Sequence, residues 1–272
     1  MTTHQPSPIT ISDVESALAT LRLPAPPTLA PSTLVAVGLA DEYTTMPSPI
    51  GPVYAAWNGR GVSAIASAGD PQAFEDWFRH EFDRQIRPAT KVPTRLARAL
   101  ARRIEGDRHA RLDVDLRGRT PFEQAVLEKA LQIPRGEVRP YSWIAAEIGR
   151  PKAVRAVGTA LAHNPVPLVM PCHRVVRADG MIGQYSLGGP DNKRAVLSSE
   201  GLDPDAMEDL ARAGVRYIGS DTTRIYCLPS CRNARRVTDR HRVLLPSIAA
   251  GRARGYRGCK VCRPDATGFA AA

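Results

Sequence analysis

The feature that most constrains the fold of this chain is a cluster of four cysteines near its C-terminus. Three residues separate Cys227 from Cys231, two residues separate Cys259 from Cys262, and 27 residues lie between the two pairs. An odd, clustered set of cysteines in a chain without a secretory signal argues against a disulfide framework. The spacing predicts one tetrahedral Zn²⁺ site with four thiolate ligands, in a small C-terminal domain over 217–272, and no organic cofactor.

The charge of the chain points to a polyanionic partner. The 272 residues carry 37 Lys and Arg against 27 Asp and Glu, a formal net charge of +10. Residues 206–272 hold 13 Lys and Arg against 5 Asp and Glu, so a net +8 is concentrated there. A basic domain is typical of proteins that bind a polyanion, usually nucleic acid. A solvated arginine-rich surface would give the same charge, so charge alone does not decide.

Composition excludes two broad classes of protein. Hydrophobic residues make up 43% of the chain, which is enough to bury a core and excludes a wholly disordered protein. No window approaches the ~18 apolar residues that a membrane-spanning helix needs, so we expect no membrane partner. The N-terminus lacks a basic region followed by an apolar stretch, so we expect a cytoplasmic, nucleoid-associated protein. No feature suggests oligomerisation, and we expect a monomer without an obligate protein partner.

Element patterns divide the chain before the zinc domain into four parts. We expect an N-terminal extension over 1–45, an α+β unit over 46–118, a helical domain over 119–203 and a linker over 204–216. Apolar or alternating runs predict strands in the α+β unit, at 50–57, 61–67 and 109–117.

Helix-capping residues mark where the helices begin. Asp70 followed by Pro71 predicts a helix start, and a second helix is expected over about 93–105. The run Thr120-Pro121-Phe122-Glu123 is a capping box.

A pair of short helices is expected next, and together they outline a helix-turn-helix. Ser142 can cap a first helix that ends near Glu147, Gly149 can form the turn, and Pro151 can begin a second helix. The second helix is rich in small residues, among them Ala156, Gly158 and Thr159. Small side chains let a helix approach another surface closely, and spacing alone favours ordinary helix–helix packing over a ligand.

The fifth cysteine precedes a histidine, as Cys172-His173. A thiolate is the nucleophilic form of cysteine, so a reactive Cys172 needs a base or a positive environment. Adjacent side chains on an extended segment point to opposite faces, so a water would relay the proton to His173. The dipeptide alone favours a buried structural cysteine beside a surface histidine, which is the commoner case.

The surrounding motifs change that balance, because residues 120–201 resemble the catalytic domain of the O6-alkylguanine-DNA alkyltransferases (methylated-DNA–protein-cysteine methyltransferases). The resemblance is carried by short motifs along the whole stretch: Thr120-Pro121-Phe122, Tyr141, RAVGTALAHNP at 155–165, Pro171-Cys172-His173-Arg174-Val175, Gly183-Gln184-Tyr185-Ser186 and Glu200-Gly201. Residues 50–67 and 112–118 resemble, more weakly, the ribonuclease-H-like domain of that family. The implied fold class is α+β: a ribonuclease-H-like N-terminal unit, a helical helix-turn-helix catalytic domain and a small zinc-bound C-terminal domain.

The resemblance implies double-stranded DNA as the partner and a single-turnover transfer of the alkyl group of O6-alkylguanine in that DNA to Cys172. His173 would draw the thiol proton through a water, and Glu200 would orient the imidazole. Tyr141 would donate to the ring N3 of guanine, and Asn164 would brace the turn before the active-site strand. Three further residues would contact or enclose the base: Val175, Tyr185 and Ser186.

A guanine inside a duplex cannot present O6 to a buried thiol, so the resemblance also implies base flipping. Arg155 would fill the gap that the base leaves. The helix with Ala156, Gly158 and Thr159 would enter the minor groove, where small side chains permit close approach.

A second resemblance covers about 217–265, which looks like the Ada-type metal-binding domain. The matching runs are Tyr226-Cys227-Leu228-Pro229-Ser230-Cys231-Arg232 and GYRGCKVCRPD at 255–265. In that family the first zinc-bound cysteine takes a methyl group from a DNA methylphosphotriester, which here is Cys227. The domain order is inverted and the AraC-like helix-turn-helix that usually follows is missing, so a zinc-stabilised DNA-affinity module is an equal reading.

Three other functions remain as alternatives. A methylation-sensing regulator would act through the zinc-bound Cys227 and would need sequence-specific DNA binding. A non-enzymatic lesion binder of the alkyltransferase-like kind would lack the acceptor cysteine, which this chain has. A papain-like hydrolase would need oxyanion elements and a cysteine context that are absent from the sequence.

Overall fold

The computed structural model describes residues 29–266, together with Ile11 and Val14. The chain has a mixed α+β architecture with three sheets. In chain order the first unit contains α1 (Leu29–Ala36), β1 (Ala40–Met46), β2 (Val53–Asn58), β3 (Gly61–Ser67), α2 (Pro71–Phe82), β4 (Gln85–Pro88) and α3 (Thr94–Ile104). The sheet order is β3-β2-β1-β4, with β1 and β4 parallel and the other pairs antiparallel. The expected boundary at residue 46 falls inside β1. This strand pairs with β2 on one side and with β4 on the other, so all of it belongs to the sheet of the first unit.

The helix cap that the sequence predicted at Asp70 is present in the first unit. The Asp70 side chain accepts from the Gln72 amide at 3.2 Å, and the helix ends at Asp83 in a left-handed conformation. Phe74 and Phe78 are buried, and Phe74 packs edge-on against Tyr43. This packing holds α2 on the sheet.

The predicted strand over 109–117 is wrong. Among the described residues, the β-pairing of this segment with the sheet is limited to an isolated bridge from Val62 to Val114, beside a side-chain bond from Asn58 Nδ2 to Asp115 Oδ2. The side chains of this segment do alternate, but only one of its residues pairs with a neighbouring strand, so the segment does not form a strand. The segment passes close to β3: a Cβ on Gly61 would lie 2.4 Å from the Asp113 carbonyl.

The helical domain contains α4 (Pro121–Leu131), β5 (Arg139–Pro140), α5 (Tyr141–Glu147), α6 (Val154–Ala162), β6 (Val175–Val176) and α7 (Gly189–Ser199). The capping box is confirmed, since Thr120 Oγ1 accepts from the Glu123 amide and Glu123 Oε2 accepts from the Thr120 amide. Ser142 does not cap α5, because the helix begins at Tyr141 and the Ser142 hydroxyl has no partner among the described residues. Pro151 lies in a turn, so α6 begins three residues later than expected.

The expected linker over 204–216 is largely helical. It forms α8 (Pro204–Arg212), where the Asp203 carboxylate accepts from the Ala206 amide at 3.0 Å. Asp203 followed by Pro204 repeats the start motif of α2, and that repetition could have revealed the helix.

The C-terminal unit is a small sheet around the four cysteines. It contains β7 (Tyr217–Ser220), β8 (Ile225–Cys227), β9 (Arg242–Leu245), α9 (Ile248–Ala253) and β10 (Arg257–Gly258), in the sheet order β10-β8-β7-β9. Tyr217 and Tyr226 are fully buried and contribute the largest side chains of its core. Within the described residues, no helix has the length and apolar character needed to cross a membrane.

Candidate active site and metal centre

Cys172 is held by a turn and by one asparagine. Residues Cys172–Arg174 form a 3₁₀ turn, and β6 begins only at Val175, so the expectation of an extended strand at Cys172 is wrong. Asn164 Nδ2 donates to the Met170 carbonyl at 2.7 Å and to Cys172 Sγ at 3.1 Å, and its Oδ1 accepts from the Val166 amide. The asparagine therefore closes the loop that precedes the cysteine and also touches its sulfur.

His173 and Glu200 form a buried pair behind the cysteine. His173 Nε2 lies 3.1 Å from Glu200 Oε1. Arg174, next in sequence, donates to both carboxylate oxygens, and the Gly136 amide donates to Glu200 Oε2 at 3.2 Å. Burial alone would raise the pKa of Glu200, but the hydrogen bonds from His173 and Arg174 lower it to about 2. Glu200 is therefore a carboxylate at neutral pH.

The surroundings keep Cys172 as a thiol and His173 as a neutral ring. Burial raises the pKa of Cys172, and the Asn164 amide, the Lys193 charge and the Ser186 hydroxyl oppose that rise. Burial lowers the pKa of His173, and Glu200 opposes that change. The His173 Nδ1 atom is buried and has no hydrogen-bond partner among the described residues. A neutral imidazole with a free nitrogen beside a thiol is a suitable proton acceptor.

A cleft of about 550 Å³ opens onto Cys172. Its lining comes from α5, α6 and the loop after β6: Tyr141, Gly158, Leu161, Ala162, Cys172, Gln184, Tyr185 and Ser186. The pKa of Tyr141 is raised by burial and then by the nearby Cys172, so its phenol stays protonated as a hydrogen-bond donor. The Tyr185 hydroxyl is buried without a partner among the described residues. The structure thus brings the predicted Tyr141, Tyr185 and Ser186 to one pocket with Cys172.

The outer face of α6 is exposed beside this cleft. Arg155, Ala156 and Thr159 are exposed, and Gly158 is half-buried. The opposite face carries Val157, Ala160 and Leu161 into the core. A Cβ on Gly158 would meet no atom within 4 Å, so internal packing does not require glycine there. The expected alternative of tight helix packing therefore does not explain Gly158.

Sequence reasoning missed Lys193. Its side chain is fully buried, and Nζ donates to the Val175 carbonyl at 2.6 Å and to the Gln184 carbonyl at 3.2 Å. Burial lowers the pKa of Lys193 to about 8. The position falls on the buried stripe of α7 with Val196 and Leu197, and a lysine on an apolar stripe was the available clue. Val175 was expected to contact the base, and its carbonyl already accepts a hydrogen bond from this ammonium.

The four C-terminal cysteines converge on one point. The sulfurs of Cys227, Cys231, Cys259 and Cys262 all lie within 4.8 Å of one another, and all four residues are buried. A tetrahedral zinc site with ~2.3 Å Zn–S bonds has sulfur–sulfur edges of roughly 3.8 Å, which fits this cluster. The sulfurs also accept hydrogen bonds, as zinc thiolates do: Leu228 N to Cys262, Val261 N to Cys259 and Asn233 Nδ2 to Cys259. The donor set therefore suits Zn²⁺.

Cys227 is the zinc-site cysteine that lines a surface cleft. This cleft of about 780 Å³ has an apolar part formed by Ile218, Ile225 and Val237. Its other lining side chains are polar or basic: Ser220, Thr222, Thr223, Asn233, Arg236, Thr238 and His241. Hydroxyl, amide and guanidinium groups around one sulfur are suited to holding a phosphate ester beside it.

Comparisons with known proteins agree with this architecture. Residues 121–202 match the family model described as 6-O-methylguanine DNA methyltransferase, DNA binding domain, and residues 206–265 match the metal binding domain of Ada. The methylated-DNA–protein-cysteine methyltransferase of Mycobacterium tuberculosis H37Rv is 38% identical over 159 residues, which cover 58% of this chain and 92% of that protein. The protein of the same name from Rattus norvegicus is 50% identical over 100 residues, 36% of this chain and 46% of its own.

A solved structure also matches part of the chain. The crystal structure of Mycobacterium tuberculosis OGT in complex with DNA matches with 34% identity and a TM-score of 0.49, covering 61% of this chain and 98% of that one.

Proposed function

Because the chain belongs to the methylated-DNA–protein-cysteine methyltransferase family, we propose that it repairs DNA by moving the alkyl group of O6-alkylguanine onto Cys172. The observation that carries this proposal is the position of Cys172. Cys172 lines an open cleft, its sulfur accepts a hydrogen bond from Asn164, and it directly precedes His173, which pairs with the buried Glu200. A purely structural cysteine would need none of these neighbours.

The chemistry follows from the protonation states of these groups. His173 takes the Cys172 proton, through a water, and the ionised Glu200 stabilises the imidazolium that results. The sulfur attacks the alkyl carbon, an S–C bond forms as the C–O6 bond breaks, and the electron pair leaves on the guanine. Tyr141 donates a hydrogen bond to N3 and then its proton, so the base departs as neutral guanine, and the phenolate regains a proton from solvent. The thioether has no easy leaving path, so each molecule acts once.

DNA would approach the exposed face of α6. Two helices joined at Gly149 act as a helix-turn-helix, and Ala156, Gly158 and Thr159 let the helix backbone enter the minor groove. The target base leaves the stack for the Cys172 cleft, and Arg155 fills the gap. The α+β unit over 46–118 would be the ribonuclease-H-like domain, and 119–203 the catalytic domain.

The decisive experiment is mass spectrometry after incubation of the zinc-loaded chain with duplex DNA containing O6-methylguanine. We expect one methyl group per chain, on the peptide that holds Cys172, and none in Cys172→Ala. Full methylation of Cys172→Ala at that lesion would refute the assignment. Tight lesion binding without any transfer by the wild type would favour the lesion-binder alternative.

A second acceptor is proposed at Cys227, which lines the surface cleft of the metal centre. Bound Zn²⁺ would hold the four sulfurs as thiolates and so make Cys227 nucleophilic at neutral pH. The Cys227 sulfur would take the methyl of a methylphosphotriester, and the CH₃–O bond would break to leave the phosphodiester anion. Arg236 and Asn233 would hold the phosphate oxygens.

The test uses the Cys172→Ala variant and methylphosphotriester DNA without O6-methylguanine. A methyl group on the peptide with Cys227 supports the second acceptor, and an unmodified chain reduces the domain to a DNA-affinity module. A regulatory role would additionally require a preferred sequence, and a binding selection on random duplexes that finds none argues against it.

A further inference from the structure

The metal domain forms several hydrogen bonds to a short segment of the helical domain, residues 136–143, that borders the alkyl-transfer site. Ser230, in the loop between the first two cysteines, bonds this segment twice: its Oγ accepts from the Val138 amide at 2.9 Å and donates to the Val138 carbonyl at 3.1 Å. The Arg232 amide donates to Glu137 Oε1 at 3.1 Å. Ser230 is 7% exposed and Glu137 is 1% exposed, so water does not compete for these bonds.

A second connection leads from the last cysteine to α5. The indole Nε1 of Trp143 donates to the carbonyl of Cys262 at 3.0 Å, and Trp143 is buried. The guanidinium groups of Arg139 and Arg263 lie 5.7 Å and 5.5 Å from the Trp143 ring. Arg263 also pairs with Glu147 at 2.6 Å, at the end of the same helix. A ligand loop of the metal centre is therefore fixed to the helix that begins at Tyr141.

The same segment contacts the catalytic groups at its other side. The Gly136 amide donates to Glu200 Oε2, the carboxylate that faces His173. Arg139 and Pro140 pair with Val175 and Val176, which directly follow the Cys172–Arg174 turn. Tyr141, at the start of α5, lines the Cys172 cleft. Three parts of the transfer site are thus supported by backbone that the metal domain holds in place.

We infer that the metal domain positions the alkyl-transfer site, with Ser230 and Trp143 as positioning residues, and that zinc binding and transfer to Cys172 are coupled. The inference rests on the proposed function. Both ligand loops of the metal centre contribute a bond, so loss of the metal would free residues 136–143 and loosen Tyr141 and Glu200. Coupling between two sites is reciprocal, so weakening these bonds must also loosen the metal.

The test compares zinc-loaded full-length variants that each remove one bond. Trp143→Phe keeps an aromatic ring between the two guanidinium groups but loses the N–H donor, and Ser230→Ala loses the hydroxyl. Trp77→Phe, on the exposed side of α2, and Ser247→Ala, which removes the cap of α9 inside the metal domain, are the matched controls. Two quantities are measured: the single-turnover rate of methyl transfer as a function of DNA concentration, and the rate of zinc release to a chromogenic chelator.

We expect Trp143→Phe and Ser230→Ala to lower the rate at saturating DNA by at least about 5-fold, with an unchanged half-saturating DNA concentration, and to speed zinc release. The controls should retain the wild-type transfer rate. Wild-type transfer rates in both test variants would overturn the coupling and leave the proposed function intact, as would equal losses in the controls. A wild type that transfers no methyl group would overturn both.

Discussion

His173 Nε2 lies 3.1 Å from Glu200 Oε1, and the two side chains are 1% and 4% exposed. A buried carboxylate normally gains a proton, yet Arg174 donates to both of its oxygens and keeps it ionised. The arginine thus lets Glu200 stabilise a positive charge on His173 at the moment when the thiol loses its proton. The adjacent residues His173 and Arg174 meet one carboxylate because they lie in a tight turn.

Because Glu200 is ionised in the folded protein, the free energy of unfolding depends on pH in the acidic range. Its pKa falls from 4.5 to about 2 on folding, so its contribution is complete above pH 4.5 and is lost as the pH falls towards 2. We expect Glu200→Gln to lower the free energy of unfolding at pH 7 by about 3 kcal/mol, because Arg174 loses its counter-charge. Urea unfolding from pH 7 to pH 2 should show this difference shrinking across that window.

Glu81→Gln is the control for this experiment, because Glu81 forms a half-exposed pair with Arg119. Its effect should stay below about 1 kcal/mol. A difference between wild type and Glu200→Gln that stays constant from pH 7 to pH 2 would contradict the ionised, paired state of Glu200.

Lys193 is predicted to tune the reactivity of the thiol. The positive charge of Lys193 lowers the pKa of Cys172, and its ammonium fixes the Val175 and Gln184 carbonyls beside the cleft. In Lys193→Met the apparent pKa of Cys172 should rise, and its alkylation by iodoacetamide at pH 7.5 should slow by roughly 10-fold per pKa unit. The measurement is the pH–rate profile of the peptide that holds Cys172.

The exposed Lys152, replaced by Met, is the matched control and should leave the profile unchanged. In the wild type the effect of the Lys193 charge on the Cys172 thiol should weaken above about pH 8, where Lys193 itself loses its proton. Identical profiles for Lys193→Met and the wild type would show that the ammonium does not act on the sulfur.

The sequence predicted local features better than packing between distant segments. The starts at Asp70 and Thr120 depend on side chains that bond amides two or three residues away, so they could be found by reading along the chain. The four zinc cysteines also follow a short, specific spacing. By contrast, the strand expected over 109–117 failed because a strand needs a partner, and Val114 finds only Val62.

The candidate site shows the same division. The motif at Cys172 predicted the neighbours Asn164, His173 and Glu200, and the structure brings all of them together. It did not predict Lys193, or the bond from Trp143 to Cys262, because no local pattern links positions 119 residues apart. The Cys172–Arg174 turn was also missed, since Pro171 and the apolar residues around it resemble a strand.

Gly158 is predicted to keep the Cys172 cleft open to a base. A Cβ there would meet no atom within 4 Å, so Gly158→Leu should fold and should gain up to about 1 kcal/mol from helix propensity. The leucine would project into the cleft that Gly158 lines, so methyl transfer from DNA should fall at least tenfold. Thermal unfolding and single-turnover transfer measure the two effects.

Iodoacetamide labelling of Cys172 provides the control for Gly158→Leu, because this small reagent needs no space for a guanine. Labelling should remain near the wild-type rate. Loss of labelling together with transfer would mean that the leucine distorts the cysteine rather than excluding the base.

Arg236 is predicted to contact DNA phosphate at the rim of the Cys227 cleft. The residue is exposed, lines that cleft and forms no ion pair within the described part of the chain. Each phosphate contact releases counterions, so Arg236→Gln should reduce the slope of log K against log salt concentration by about 1.

Arg79→Gln is the matched control, since Arg79 is already neutralised by Glu75 and Asp76. Binding titrations of one duplex between 50 and 200 mM salt, roughly the range over which such slopes are resolved, give both values. An unchanged slope in Arg236→Gln would place the DNA away from this cleft, and the proposed phosphotriester transfer at Cys227 would then lose its phosphate ligand.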